Sequence, residues 1–163
     1  MCITSELAHA KKRVKELEAQ VATLEAREWT PYPPVSGVDR ISPQGWVDFN
    51  RISMQQDKVV VNGDTLRYGI LADTNSMDGI MDAPHIVVGE TVFDRNHLQV
   101  GDIVSYQTET SGPIIHQIVK IETDSEGRLY TLQGTNNDRP DTYQVRNEHI
   151  LSVLVCLIYA RER

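Results

Sequence analysis

Ile114-Ile115-His116-Gln117-Ile118-Val119-Lys120-Ile121-Glu122, followed beyond Gly127 by Leu129-Tyr130-Thr131-Leu132-Gln133, is the stretch that decides the fold. Both runs are of strand length, rich in residues that suit a pleated, half-buried surface, and bounded by turn residues. Similar runs lie at 86–93, 103–108 and 150–159. Upstream, Lys58-Val59-Val60-Val61, then Asn62-Gly63-Asp64, then residues 65–72 predict a hairpin with Asn-Gly at its turn. Seven short strands and almost no helix after Trp46 predict a mainly β domain over residues 46–163, built as a barrel-like or coiled sheet.

The N-terminus has a different period. Ile3, Leu7, Ala10, Val14, Leu17, Val21 and Leu24 alternate at spacings of four and three, with Leu7, Val14 and Val21 at a and Ile3, Ala10, Leu17 and Leu24 at d. In a parallel pairing, Glu6 faces Lys11 and Arg13 faces Glu18, both opposite in sign. The pattern predicts an α-helical coiled-coil stem over residues 3–28, joining copies of the chain as a dimer or trimer through Leu7, Val14, Leu17, Val21 and Leu24. Pro31, Pro33, Pro34 and Gly37 then stop the helix and predict an extended linker over 29–45.

Composition removes several function classes. The 163 residues carry a formal net charge of −7, and Lys11-Lys12-Arg13 is the only basic run, so nucleic acid is not an expected partner. No stretch approaches the roughly 18 to 20 apolar residues needed to span a bilayer, and the N-terminus has no signal-sequence core. The expected setting is therefore the cytoplasm or an assembled particle, with no membrane partner. Two cysteines, Cys2 and Cys156, make no disulfide framework. The five histidines have no metal-ligand spacing, so no metal or cofactor is expected.

Three further stretches lie in order: Thr74-Asn75-Ser76-Met77, Ile114 to Ile121, and Gly134-Thr135-Asn136-Asn137-Asp138-Arg139-Pro140-Asp141. They supply a hydroxyl, an imidazole and a carboxylate. A serine hydroxyl attacks only when a base takes its proton, and an imidazole serves as that base when a carboxylate fixes its tautomer and stabilises its charge.

With their flanks, these stretches resemble the signal peptidase and LexA-repressor clan of serine peptidases. The serine box, the Gly89-Glu90 pair, Val100-Gly101-Asp102-Ile103-Val104-Ser105-Tyr106, the histidine box and the Gly134–Asp141 box are collinear with the clan's motifs over roughly residues 57–159. The histidine and final boxes are most similar to those of archaeal and eukaryotic signal peptidases. The resemblance implies a β-rich peptidase-like head with Ser76 as nucleophile, His116 as base and Asp141 as the orienting carboxylate. It also implies Thr74 as an oxyanion donor beside a backbone amide, and Met77 is expected to pack beneath the nucleophile turn. Asn75 stands where the clan has Gly, Thr135 where it has a first Asp, and Gln117 where it has Arg. LexA-type members use a lysine as base, which keeps Lys120, expected on the same strand face, as an alternative to His116. Asp138 competes with Asp141 as the orienting group.

Two functions follow. One is a soluble serine endopeptidase working through an acyl-enzyme, cutting another protein or its own linker. The other is a non-catalytic interaction module, a peptidase-like head on an oligomeric stem with an assembly partner, as in fibre-like or virus-particle components. A LexA-like DNA-binding regulator is excluded, because about 25 residues of heptad cannot form a helix-turn-helix domain.

Overall fold

The computed structural model describes residues 9–18, 41–110 and 112–161. It divides into two compact units, Met1–Asp39 and Arg40–Arg163. In the first, residues 9–18 form a helix, α1, whose side chains are all exposed, including Val14 and Leu17. Arg13 and Glu16 pair at 3.5 Å along its surface. Leu7, Val21 and Leu24 of the expected seam, and most of the expected linker, lie outside the described residues.

The second unit is mainly β. Its strands are β1 (Ile52–Met54), β2 (Val59–Val61), β3 (Leu66–Ile70), β4 (Ile86–Glu90), β5 (Ile103–Tyr106), β6 (Ile114–Asp124), β7 (Gly127–Gln133), β8 (Val145–Arg146) and β9 (Ile150–Ile158). β1 and β2 make a two-stranded sheet of their own. The other seven form one curled antiparallel sheet in the order β3-β4-β9-β5-β6-β7-β8.

Strand alternation divides the core between the two faces of this sheet. Val104 and Tyr106 of β5 join Ile118, Tyr130, Leu132, Val145, Ile150 and Val153 in the larger cluster. Their neighbours on the other face, Ile103 and Ile115, pack with Met77, Met81, Val87, Leu154 and Leu157. Register pairs Val104 with His116 and Tyr106 with Ile114, so His116 belongs to the row that contains Tyr106. The register of β6 against β7 shifts between Ile118 and Lys120, a bulge at Val119. That one extra residue makes Ile121, not Lys120, the next member of the row.

The expected hairpin over 58–72 does not form. β2 pairs with β1, and β3 pairs with β4. An Asn-Gly hairpin turn needs positive φ at its central residues, and Gly63 does not adopt it. Arg51 supplies the competing interaction. Its Nε donates to the Asn62 carbonyl at 2.8 Å, its own carbonyl accepts from the Asn62 N–H at 2.8 Å, and its guanidinium occupies the space a side chain at Gly63 would need. The chain is thus tied through Asn62 to Arg51, just before β1, and crosses to β3 as a connection.

Two buried carboxylates hold the frame. Asp102, fully buried, accepts from the N–H groups of Gln44 and Gln99, the Gln44 amide and the Trp46 indole, at 2.9–3.2 Å. Glu90 accepts from the N–H groups of Thr91 and Val92 and from Arg51. Those backbone bonds end β4 at Glu90, short of the expected 86–93. Burial alone would raise the Glu90 carboxyl, but hydrogen bonds from Thr65, the Val92 N–H and Arg51, with the Arg51 charge, outweigh it and hold the group below its ordinary value of 4.5.

A carboxylate depressed in the folded state adds stability above its unfolded value and loses it as pH falls through the folded one. Glu90→Gln should therefore be less stable than the parent at pH 7, with the difference closing as pH drops below about 4.5. Urea unfolding at pH 7 and pH 3 measures this; a difference independent of pH would contradict it.

Candidate active site

Ser76 lies in the loop between β3 and β4, His116 on β6, Asp141 in the loop between β7 and β8, and Tyr106 at the end of β5. The sheet order places β5 beside β6 and β6 beside β7, so the last three positions come from consecutive strands. The Ser76 turn is brought in from the far edge of the sheet and needs its own anchor.

That anchor is the loop after β7. The Asn136 N–H donates to the Ser76 carbonyl at 3.0 Å, and the Asn136 side-chain amide donates to the Asn75 carbonyl at 2.9 Å. The Thr135 N–H reaches the Met77 sulfur at 3.4 Å. Gly134 allows this approach: a methyl group there would run into the Ser76 carbonyl oxygen and lie 2.8 Å from the Asn137 amide nitrogen. Met77 is buried beneath the turn with Met81. Asn75 has φ +58°, a left-handed conformation that asparagine tolerates better than most residues other than glycine. Asparagine is thus a residue that can hold the backbone this turn requires.

The side chains converge. His116 Nε2 lies 3.0 Å from Ser76 Oγ, and His116 Nδ1 lies 2.6 Å from Asp141 Oδ2. A carboxylate accepts, so the Nδ1 contact calls for a proton on Nδ1, and in that tautomer Nε2 is the ring's acceptor facing the serine hydroxyl. His116 is buried at 6% exposure, with the Asp141 side chain at 12%, so water does little to screen the pair. Thr74 Oγ1 lies 3.4 Å from Ser76 Oγ. Tyr106, which sequence reasoning gave no role, donates from its hydroxyl to Asp141 Oδ2 at 2.7 Å. Burial first, then the hydrogen bond to Asp141 and the carboxylate's charge, push the Tyr106 hydroxyl far above its ordinary range, so it remains a protonated donor.

The alternatives fall elsewhere. Lys120 is exposed beyond the bulge and paired with Glu122 at 2.9 Å; it does not share the His116 face as the strand pattern suggested. Asp138 is exposed at the turn. His85 and His149 each use Nδ1 to accept a backbone N–H and serve their local turns. Among the described residues no three His, Cys, Asp or Glu side chains are grouped to hold a metal ion.

Ser76 and His116 open onto a groove of about 720 Å³, lined by Leu71, Met81, Val87, Ile115 and Leu151 among others. Its wall includes β3, an edge strand of the sheet. Among the described residues no helix is long and apolar enough to cross a membrane.

Two signals missed in the sequence were readable in principle. Tyr106 follows Val104 in period two, and a tyrosine on a core face needs a partner for its hydroxyl. Gly134 heads the final box, where a close backbone approach was the alternative to a simple turn.

Gly134→Ala should cost about 1–3 kcal/mol in urea unfolding, the usual range for overpacking. A crystal structure of the variant should show Ser76 Oγ beyond hydrogen-bond reach of His116. Unchanged stability with the 3.0 Å contact retained would refute the anchoring role of this glycine.

Compared with known proteins, the chain is similar to Signal peptidase I W of Bacillus subtilis (strain 168), at 23% identity over 77 residues. The match covers 47% of this chain and 40% of that protein, so the chain spans well under half the length of the relative it matches. No protein-family model matches the chain. No solved structure matches it either. The similarity is weak and suggests at most a relation of the signal peptidase kind.

Proposed function

We propose that this chain is a serine endopeptidase in which Ser76 attacks the substrate carbonyl, His116 takes its proton and Asp141 holds the imidazole. The observation that carries the proposal is the pair of contacts on one ring, 3.0 Å to Ser76 and 2.6 Å to Asp141. In the first step the Ser76 oxygen bonds to the carbonyl carbon while Nε2 receives the hydroxyl proton. The developing oxyanion takes hydrogen bonds from Thr74 Oγ1 and a backbone N–H at the turn. As the intermediate collapses, the C–N bond breaks and the imidazolium returns its proton to the leaving amine. Water, activated by the same ring, then cleaves the acyl-enzyme. The apolar groove suits an extended segment of protein with apolar side chains, from another chain or from the 29–45 linker. Lys120, exposed beyond the bulge at Val119 and off the row that holds His116, is not placed to serve as the base.

If this mechanism operates, Ser76→Ala abolishes hydrolysis of a quenched-fluorescence peptide library. Asp141→Asn lowers kcat by about 10⁴-fold, as loss of the orienting carboxylate does in serine-protease triads, with little change in Tm. Asp138→Asn leaves kcat within about twofold, because an exposed turn carboxylate has no contact with the ring. Equal rates for the parent and Ser76→Ala would rule out Ser76 as nucleophile, and no hydrolysis by the parent would favour the non-catalytic interaction module.

The same proposal includes self-association through residues 3–28. Val14 and Leu17 are exposed on α1 and fall at a and d of the heptad pattern. Light scattering should give an oligomer for the full chain and a monomer after deletion of residues 3–28. An unchanged mass ratio per chain would put the interface in the β unit.

A further inference from the structure

We infer that Tyr106 is a positioning residue for the His116–Asp141 pair, fixing the one carboxylate oxygen that the imidazole uses. This rests on the peptidase reading for its consequence in rate, but the contact itself does not.

The argument starts from an asymmetry. Asp141 has two carboxylate oxygens, yet both short donors, His116 Nδ1 at 2.6 Å and the Tyr106 hydroxyl at 2.7 Å, meet on Oδ2. A carboxylate held by one donor can turn about its Cβ–Cγ bond and offer either oxygen or a water-bridged arrangement. A second donor on the same oxygen removes that freedom. Tyr106 is suited to the task because it cannot yield. It is fully buried, sits in the larger core cluster between Val104 and Ile114, and its ring packs near His116 and Tyr143 with centroids 6.4 Å apart in each case. Asp141, by contrast, is on a loop, held through its own N–H to the Leu132 carbonyl at 2.8 Å. The core thus passes its rigidity to the loop carboxylate through one hydroxyl. The ionisable groups facing this cluster are Tyr106 on β5, His116 on β6, and Asp141 and Tyr143 on the loop after β7. The hydroxyl stays protonated there, so donation to Asp141 does not switch off at neutral pH.

The test uses the full chain with Tyr106→Phe, which keeps the ring and removes only the donor. In the parent, the His116 Nδ1 proton should appear as a narrow, far-downfield NMR signal in slow exchange with water. In the variant that signal should broaden as solvent exchange rises by about tenfold or more, the scale set by a hydrogen bond to a charged group. Peptide hydrolysis should fall by about tenfold in kcat with KM unchanged. In the Asp141→Asn background, adding Tyr106→Phe should change kcat by less than twofold, because the residue acts through the carboxylate. An unchanged Nδ1 signal, or an equal loss of kcat in both backgrounds, would overturn the inference. Should the variant fail to fold, the parent carries a second readout: an exchange-protected Tyr106 hydroxyl proton whose resonance moves in Asp141→Asn, its absence being equally fatal. A parent chain that shows both signals but hydrolyses no peptide would refute the peptidase reading and leave the positioning contact standing.

Discussion

The Ser76 carbonyl oxygen rests against the bare α-carbon of Gly134, and the next residues of that loop bind the turn through Asn136. The placement of the nucleophile in the candidate site depends on this approach. His116, Asp141 and Tyr106 come from adjacent strands or the loop leaving them, so ordinary sheet register brings them near each other. Ser76 has no such help. Its loop leaves β3 at the sheet edge and is held over the His116 face by contacts with residues 134–137. The hydrogen bonds are backbone or amide interactions that do not vary with pH, and the steric fit tolerates no added carbon. A serine 40 positions from its histidine thereby sits at hydrogen-bond distance from it.

Burial does the electrostatic part. The imidazole and its carboxylate are nearly excluded from water, so the hydrogen bond between them is less screened than a surface pair, and its cost is met by full use of the oxygen involved. Asp102 and Glu90 follow the same logic at two other points of the frame, where a buried carboxylate gathers several N–H donors and fixes the chain on either side. The Gly-Asp and Gly-Glu pairs of the sequence are therefore supports for the sheet.

Much of this was legible in the chain itself. Most strand positions followed from β-forming runs, though the short β1 and β8 carried no such run and were not expected, and the candidate residues followed from the order and flanks of the boxes. Failures came where a tertiary contact overruled a local signal. Asn62-Gly63 reads as a hairpin turn, but Arg51 binds Asn62 and claims the space beside the glycine. Lys120 reads as a neighbour of His116 by counting in twos, but the bulge at Val119 shifts the count by one. Tyr106 reads as a strand residue without a task, because nothing local says that its hydroxyl ends on a carboxylate 35 residues away. The heptad pattern is a statement about a second chain, and α1 leaves Val14 and Leu17 exposed.

The most direct test of an activated Ser76 is covalent capture. Native protein treated with a fluorophosphonate should gain the mass of a single adduct, mapped to Ser76. The adduct should disappear in Ser76→Ala, and its rate should collapse after unfolding in urea, when the imidazole no longer sits beside the hydroxyl. No adduct on the native chain, or one formed equally fast after unfolding, would contradict the activation of Ser76 by His116.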